Sequence, residues 1–141
     1  MTPTVTYRLR EDHTRVKHVQ EATLNTVEFG LQPIHGLYGS PEWWNNIAAG
    51  VLPVHTLKGT IVKVYMGSMG DWPEFRVREE DGNESNWTRE AQSQELDAAY
   101  RVGCSVEIDY VVERFKEKAW NGPEETKSVI EIRVAGMRDE A

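Results

Sequence analysis

The sequence has very little cysteine and no long apolar run. Cys104 is the single cysteine in 141 residues, so an intramolecular disulfide is excluded, and no histidine stands with it at a zinc-ligand spacing. No window approaches the roughly 18 apolar residues that a membrane-spanning helix needs, and the first residues lack the pattern of a signal peptide. We therefore expect a cytoplasmic protein that needs no disulfide, metal ion or cofactor.

Basic residues are also few. Sixteen Lys and Arg residues stand against 23 Asp and Glu residues, which gives a net charge of -7. Such a chain repels polyanions at long range, and this argues against unspecific binding to duplex nucleic acid or to an anionic membrane. The metalloprotease, P-loop and dinucleotide-binding motifs are absent as well. The sequence therefore favours a protein that is not an enzyme.

From Thr56 onward the chain alternates between apolar and polar residues, which is typical of β-strands. Strong helix formers between Arg89 and Tyr100 predict one helix among these strands. In the fourth strand, Val106, Ile108, Tyr110 and Val112 are expected to be buried, opposite Glu107, Asp109, Val111 and Glu113. The predicted strands are Thr56–Met66, Glu74–Glu80, a strand around Trp87, Val106–Glu113 and Ser128–Ala135.

This order, three strands, a helix and two further strands, resembles the OB-fold over residues 56–136. Gly59 stands where the first strand of such a fold commonly bends. The resemblance implies a mainly β protein, with a five-stranded curled barrel and one inserted helix. It also implies a ligand-binding face on the second and third strands of the barrel.

The first 55 residues are less regular. Val5–Arg10 alternates like a short strand, and Val16–Leu31 fits neither a helix nor a strand period. Ser40 and Pro41 are typical of a helix start and Gly50 of a helix end, which predicts a short helix between them. We expect one domain over residues 1–141, in which an N-terminal extension, residues 1–55, packs on the barrel.

The resemblance turns attention to three tryptophans and three arginines near the implied binding face. Aromatic rings can stack on a ligand or anchor a partner, and arginines can fix its orientation by charge-assisted hydrogen bonds. The predicted binding residues are Trp72, Trp87, Trp120, Arg76, Arg78 and Arg89. The alternative is that a tryptophan is buried in the core and has a structural role only, which is usual for this residue and expected for Trp87.

Three functions compete with that of a binding module for a protein partner or a neutral ligand. Single-stranded nucleic acid is one alternative partner, but seven acids against three basic residues between Asp71 and Glu90 disfavour it. A small enzyme using His35 or His55 is a second alternative. Self-assembly through an edge strand at Ser128–Ala135 is a third. The sequence favours the non-catalytic binding module.

Overall fold

The structure is a computed structural model, and it describes residues 3–26, 30–67, 70, 72–115 and 125–136. It confirms that the protein is mainly β with minor helices. The strands are β1 (Thr4–Arg8), β2 (His55–Gly67), β3 (Trp72–Glu79), β4 (Glu84–Thr88), β5 (Ser105–Arg114) and β6 (Glu125–Ala135). The helices are α1 (His13–Asn25), α2 (Pro41–Ala48) and α3 (Gln94–Asp97), and a 3-10 turn covers Leu9–Glu11.

The six strands form one sheet in the order β1-β6-β5-β2-β3-β4. The pairs β1 with β6, β2 with β3 and β3 with β4 are antiparallel. All five predicted strands are present as β2 to β6, and the short N-terminal strand joins the same sheet. The likeness to an OB-fold stays a prediction. The prediction of an edge strand at Ser128–Ala135 is wrong, because β6 lies between β1 and β5 in the sheet order.

The chain divides into two compact units. The first unit consists of Met1–Arg8, Thr56–Asp109 and Glu131–Ala141, and the second of Leu9–His55 and Tyr110–Ile130. The division falls within β5 and within β6. Burial along β5 differs between the two units: Val106 and Ile108 are buried in the first unit, as predicted, but Val111 and Glu113 are buried in the second.

The predicted alternation along β5 is therefore wrong beyond Asp109. Tyr110 and Val112 were expected to be buried with Ile108, and they are only half-buried. Asp109 is the last residue of β5 in the first unit, and within each unit the packing of that unit's own apolar residues decides which side chains are buried.

In the first unit, β2 and β3 approach each other closely at Gly59. A Cβ atom at this position would lie 2.5 Å from the carbonyl oxygen of Arg78, so only glycine fits without a shift of backbone. The register of the pair slips between Ile61 and Lys63, which is a bulge of the kind that bends a strand. Ile61 is fully buried together with Phe75 and Val77 of β3, as the alternation of β3 predicts.

The free edge of β1 is covered by Gln92. The backbone N–H of Gln92 donates to the carbonyl of Thr6 at 3.1 Å. Its side-chain Oε1 accepts from the backbone N–H of Arg8 at 3.0 Å, and its Nε2 donates to the Arg8 carbonyl at 2.8 Å. A single glutamine thus pairs with β1 much as a neighbouring strand would, so that backbone groups at the edge of β1 have hydrogen-bond partners.

Tyr100 forms a second link between β1 and the segment that follows β4. Its hydroxyl donates to the carbonyl oxygen of Glu90 at 2.6 Å and lies 2.8 Å from the hydroxyl of Thr6. Because the Tyr100 hydroxyl donates its hydrogen bond to the Glu90 carbonyl, the Thr6 hydroxyl is the donor to Tyr100, and it also lies 3.4 Å from the Ile132 carbonyl. Burial is the main cause that raises the pKa of Tyr100, so its hydroxyl stays protonated. The hydrogen bonds from Thr6 to Tyr100 and from Tyr100 to Glu90 therefore persist, and we call them the Thr6–Tyr100–Glu90 relay.

These bonds explain why the predicted helix over Arg89–Tyr100 is wrong for most of its length. Arg89 extends the β3–β4 hairpin through its N–H, which donates to the Pro73 carbonyl at 3.0 Å, and Gln92 pairs with β1. Only the four residues of α3 remain helical, after an N-cap at Ser93. Long-range pairing overrides local helix propensity here.

In the second unit, α1 and α2 each begin at a side-chain cap. Ser40 accepts from the N–H of Trp43 at 3.2 Å ahead of α2, which confirms the predicted helix, and Asp12 caps α1 in the same way. The ambiguous segment from Val16 is thus mostly helical. Trp43 is fully buried, with ring centroids 5.0 Å from Tyr38 and 4.9 Å from Trp44.

The Thr6–Tyr100–Glu90 relay predicts a stability effect. Replacing Tyr100→Phe leaves the Thr6 hydroxyl and the Glu90 carbonyl without this partner, and we expect the free energy of unfolding to fall by about 1–3 kcal/mol. Chemical denaturation measures it. The control is Tyr65→Phe, which removes a half-buried hydroxyl that bonds Glu74 at 2.8 Å and should cost below about 1 kcal/mol. Equal losses in the two variants would contradict the proposed role of the relay.

Candidate partner-binding surface

The pleat of β3 places Trp72, Arg76 and Arg78 on one side of the strand, because side chains two residues apart point the same way. Phe75 and Val77 point to the other side and are buried. Three of the six predicted binding residues therefore share one outward face. Trp72 is 51% exposed, which is unusual for so large an apolar ring.

The outward side chains of β3 form hydrogen bonds with their neighbours on β2 and β4. The indole Nε1 of Trp72 donates to Thr88 Oγ1 at 3.0 Å, and Arg76 Nε donates to Asn86 Oδ1 at 2.9 Å. Further along, Arg78 forms an ion pair with Glu84 at 2.6 Å. On the β2 side, the hydroxyl of Tyr65 donates to Glu74 Oε1 at 2.8 Å.

These contacts define a surface that we call the β3–β4 face. Sequence reasoning missed Tyr65, Asn86 and Thr88 as members of it. Their signal is the antiparallel register, which sets Tyr65 opposite Glu74, Asn86 opposite Arg76 and Thr88 opposite Glu74. The face consists of Lys63, Tyr65, Trp72, Glu74, Arg76, Arg78, Glu84, Asn86 and Thr88.

Two predicted binding residues support the face from within. Trp87 is buried opposite Phe75, and its indole N–H donates to Ser85 Oγ at 2.8 Å. Burial, the alternative expected for this residue, is therefore what the structure shows. The Arg89 side chain is only 11% exposed, and its Nη1 donates to the carbonyls of Tyr65 and Glu74, both at 2.9 Å. Arg89 thus ties β2 to β3. Trp120 lies outside the described residues.

The charge of the β3–β4 face differs from that of the sequence segment that contains it. Lys63, Arg76 and Arg78 supply three cations, against the two carboxylates of Glu74 and Glu84. Glu79 ends β3, and Glu80 and Asp81 stand in the turn after it, so these three acids are not part of the face. A count along the sequence therefore overstates the negative charge that a partner would meet on this face.

A second polar cluster surrounds Arg133 on β6, also in the first unit. Its guanidinium donates to Asp109 at 2.8 Å, to Glu131 at 2.6 Å and to Glu107 at 3.1 Å. Partial burial would raise the pKa of Asp109, but hydrogen bonds from Arg133 and Thr56 outweigh it and lower that pKa. The guanidinium of Arg133 thus neutralises part of the negative charge of Glu107, Asp109 and Glu131.

The histidine alternative has no support from geometry. The ring of His55 is exposed and stacks on Tyr110 with centroids 5.4 Å apart, while His35 is half-buried. Within the described residues, neither imidazole forms a hydrogen bond to a carboxylate or a hydroxyl, which a general base needs for orientation. Nor does that part of the chain contain a group of three acidic, histidine or cysteine side chains able to hold a metal ion.

Glu113 is an acid buried in the second unit, with 7% of its surface exposed. Burial raises the pKa of Glu113 to about 7, and the nearby indole N–H of Trp43 opposes this only in part. The two groups miss hydrogen-bond geometry, since Trp43 Nε1 and Glu113 Oε1 both lack a partner among the described residues. The carboxyl group is therefore held largely protonated at mildly acidic pH.

This shift predicts a pH-dependent stability. The pKa of Glu113 is about 7 in the folded chain against a reference of 4.5, so its contribution is full below pH 4.5 and is lost as the pH rises through 7. Across that window the free energy of unfolding should fall by up to about 3 kcal/mol. Urea denaturation at several pH values measures the slope.

The variant Glu113→Gln mimics the protonated acid and should lose this slope, so that it becomes more stable than the parent chain above neutral pH. Glu80→Gln changes an exposed acid of the hairpin and keeps Glu113, so it is the matched control and should keep the parent slope. An unchanged slope in Glu113→Gln would show that Glu113 is not the group that titrates.

Within its described residues, the structure contains no helix with the length and apolar character needed to cross a membrane.

Comparison with known proteins gives the chain a family. None of the curated proteins matches the chain. A family model described as immunity protein RhsI2 matches residues 4–135. Immunity proteins act by binding a protein partner without catalysis, which confirms the prediction of a non-enzymatic binding protein. The chain thus belongs to the RhsI2 immunity protein family.

Proposed function

We propose that this chain binds a toxin of the Rhs type and neutralises it through the β3–β4 face. The observation that carries the proposal is Trp72, a half-exposed tryptophan on the same side of β3 as Arg76 and Arg78. Tryptophan, tyrosine and arginine are the residues that most often dominate the binding energy of protein interfaces. The face contains all three types.

The hydrogen bonds of the face favour tight binding because they fix its side chains before a partner arrives. Trp72 is held by Thr88, and Arg76 is held by Asn86. Immobilising a long side chain on binding costs about 0.5–1.5 kcal/mol, and a residue that is already held avoids part of that cost. A partner therefore meets an anchor with a fixed orientation.

The described face is the centre of the proposed interface rather than its full extent. A stable protein complex buries roughly 800 Å² on each partner and uses about 20–30 residues a side. The nine residues of the β3–β4 face are fewer than that. We propose that the rest of the contact surrounds them, and that binding takes place in the cytoplasm, the compartment that the sequence predicts.

Replacing Trp72→Ala tests the proposal. Loss of a central tryptophan typically costs 2 kcal/mol or more, so we expect affinity for the cognate Rhs toxin to fall by about thirtyfold or more. Isothermal titration calorimetry measures this affinity, and growth of cells that express the toxin measures protection. Trp72→Phe keeps an aromatic ring and should retain much of the affinity.

The matched control is Val102→Ala, because Val102 is 52% exposed, belongs to the same unit and lies outside the face. It should bind and protect like the parent chain. The proposal fails if Trp72→Ala folds normally and still protects fully. It also fails if a trace of the chain inactivates an excess of toxin, since a binding inhibitor acts in stoichiometric amounts.

A further inference from the structure

The second unit contains a cleft of about 350 Å³ that is separate in its residues from the β3–β4 face. One wall is α1, where Arg15, His18, Val19 and Ala22 follow one another at helical spacing and so share a side of the helix. The start of β6, Thr126 to Ser128, also lines the cleft. The apolar part of the lining consists of Val19, Ala22, Leu31, Tyr38 and Phe115.

Hydrogen bonds hold the apolar part of the cleft in place. Leu31 forms a β-bridge with Phe115, and its N–H donates to Thr23 Oγ1 of α1 at 3.2 Å. Gln20 donates to the Tyr38 carbonyl at 2.8 Å. Gly30 has a φ of +93°, and a Cβ atom there would lie 2.5 Å from Thr23 Oγ1, so this close approach requires glycine. These contacts fix the shape of the cleft within the second unit.

The charge of the cleft is opposite to that of the whole chain. Among its described lining residues, Arg15, His18 and Lys127 have basic side chains and none is acidic, although the chain has a net charge of -7. Arg15 also forms an ion pair with Asp12 at 3.6 Å, and Asp12 is not among the lining residues. Arg15 and Lys127 stand on two different elements. The ammonium of Lys127 lies 5.3 Å from the ring centroid of Tyr110, a cation–π contact that orients it.

We propose that this cleft binds a segment of a protein partner in which an apolar side chain stands beside carboxylates. The apolar lining takes the apolar side chain, and the basic residues pair with the carboxylates. The volume suits one or two side chains of a peptide. Charge complementarity selects an acidic segment over a basic one. This site goes beyond the proposed function, because it assigns a second surface whose occupancy does not depend on the β3–β4 face.

The test uses fluorescence anisotropy with three labelled hexapeptides. The first has a central Phe-Leu pair between two pairs of acidic residues, the second has lysine in place of the acids, and the third has serine in place of Phe-Leu. We expect the first to bind the full chain at least about tenfold more tightly than the others, and its affinity to fall as salt rises.

Two variants locate the binding in the cleft. The double variant Arg15→Gln and Lys127→Gln should weaken binding of the first peptide about tenfold or more. Ala22→Phe fills the cleft without changing its charge and should abolish binding. The control is the double variant Lys17→Gln and Lys58→Gln, which removes the same charge at two exposed positions outside the cleft and should bind like the parent chain.

Circular dichroism and thermal unfolding establish that each variant is folded. Equal binding of all three peptides would overturn the proposal, and so would full binding by Ala22→Phe or an equal loss in the control. The Trp72→Ala variant should bind the first peptide like the parent chain. A failure of this site and a failure of the β3–β4 face are therefore seen in different measurements.

Discussion

The bonds made by Tyr100 and Gln92 are the constraint on which the arrangement of the first unit depends. The sheet order leaves β1 and β4 at its two ends, and an exposed strand edge is open to unwanted pairing. Gln92 covers β1, and Tyr100 joins Thr6 of β1 to the carbonyl of Glu90. Glu90 follows β4 by two residues, so the end of β4 is fixed. Thr88, the partner of the Trp72 indole, stands at that end.

The binding role that we propose for the β3–β4 face depends on this rigidity rather than on reactive groups. In the described residues, the carboxylates around Arg133 accept hydrogen bonds from that arginine, and Glu113 is buried. The β3–β4 face includes an exposed indole and arginines that are held by hydrogen bonds, and such groups suit recognition. The chain belongs to the RhsI2 immunity protein family, and a non-catalytic protein-binding role requires no reactive group.

The sequence predicts those parts of the structure that local patterns control. Phe75 and Val77 alternate with charged residues, and they are buried as expected. Ser40 and Pro41 identify the start of α2. The helix expected over Arg89–Tyr100 fails because Gln92 pairs with a strand 84 residues away, and no local signal reports that contact. The buried Glu113 and the changed burial along β5 also depend on how distant segments pack.

The predicted binding residues divide along the same line. The pleat of β3 places Trp72, Arg76 and Arg78 together, and a period of two suffices to predict that. The inward position of Trp87 follows from its register opposite Phe75. The structural use of Arg89 depends on the carbonyls of Tyr65 and Glu74, which the sequence brings together only through β2–β3 pairing. Residue type alone therefore does not separate the exposed members of the predicted set from the buried ones.

Hydrogen–deuterium exchange with and without the cognate Rhs toxin tests the central claim most directly. Because amides covered by a partner exchange more slowly, we expect added protection in Trp72–Arg78 and Glu84–Thr88, the two strands that form most of the face. Protection confined to the second unit, with β3 and β4 unchanged in a saturated complex, would contradict the account.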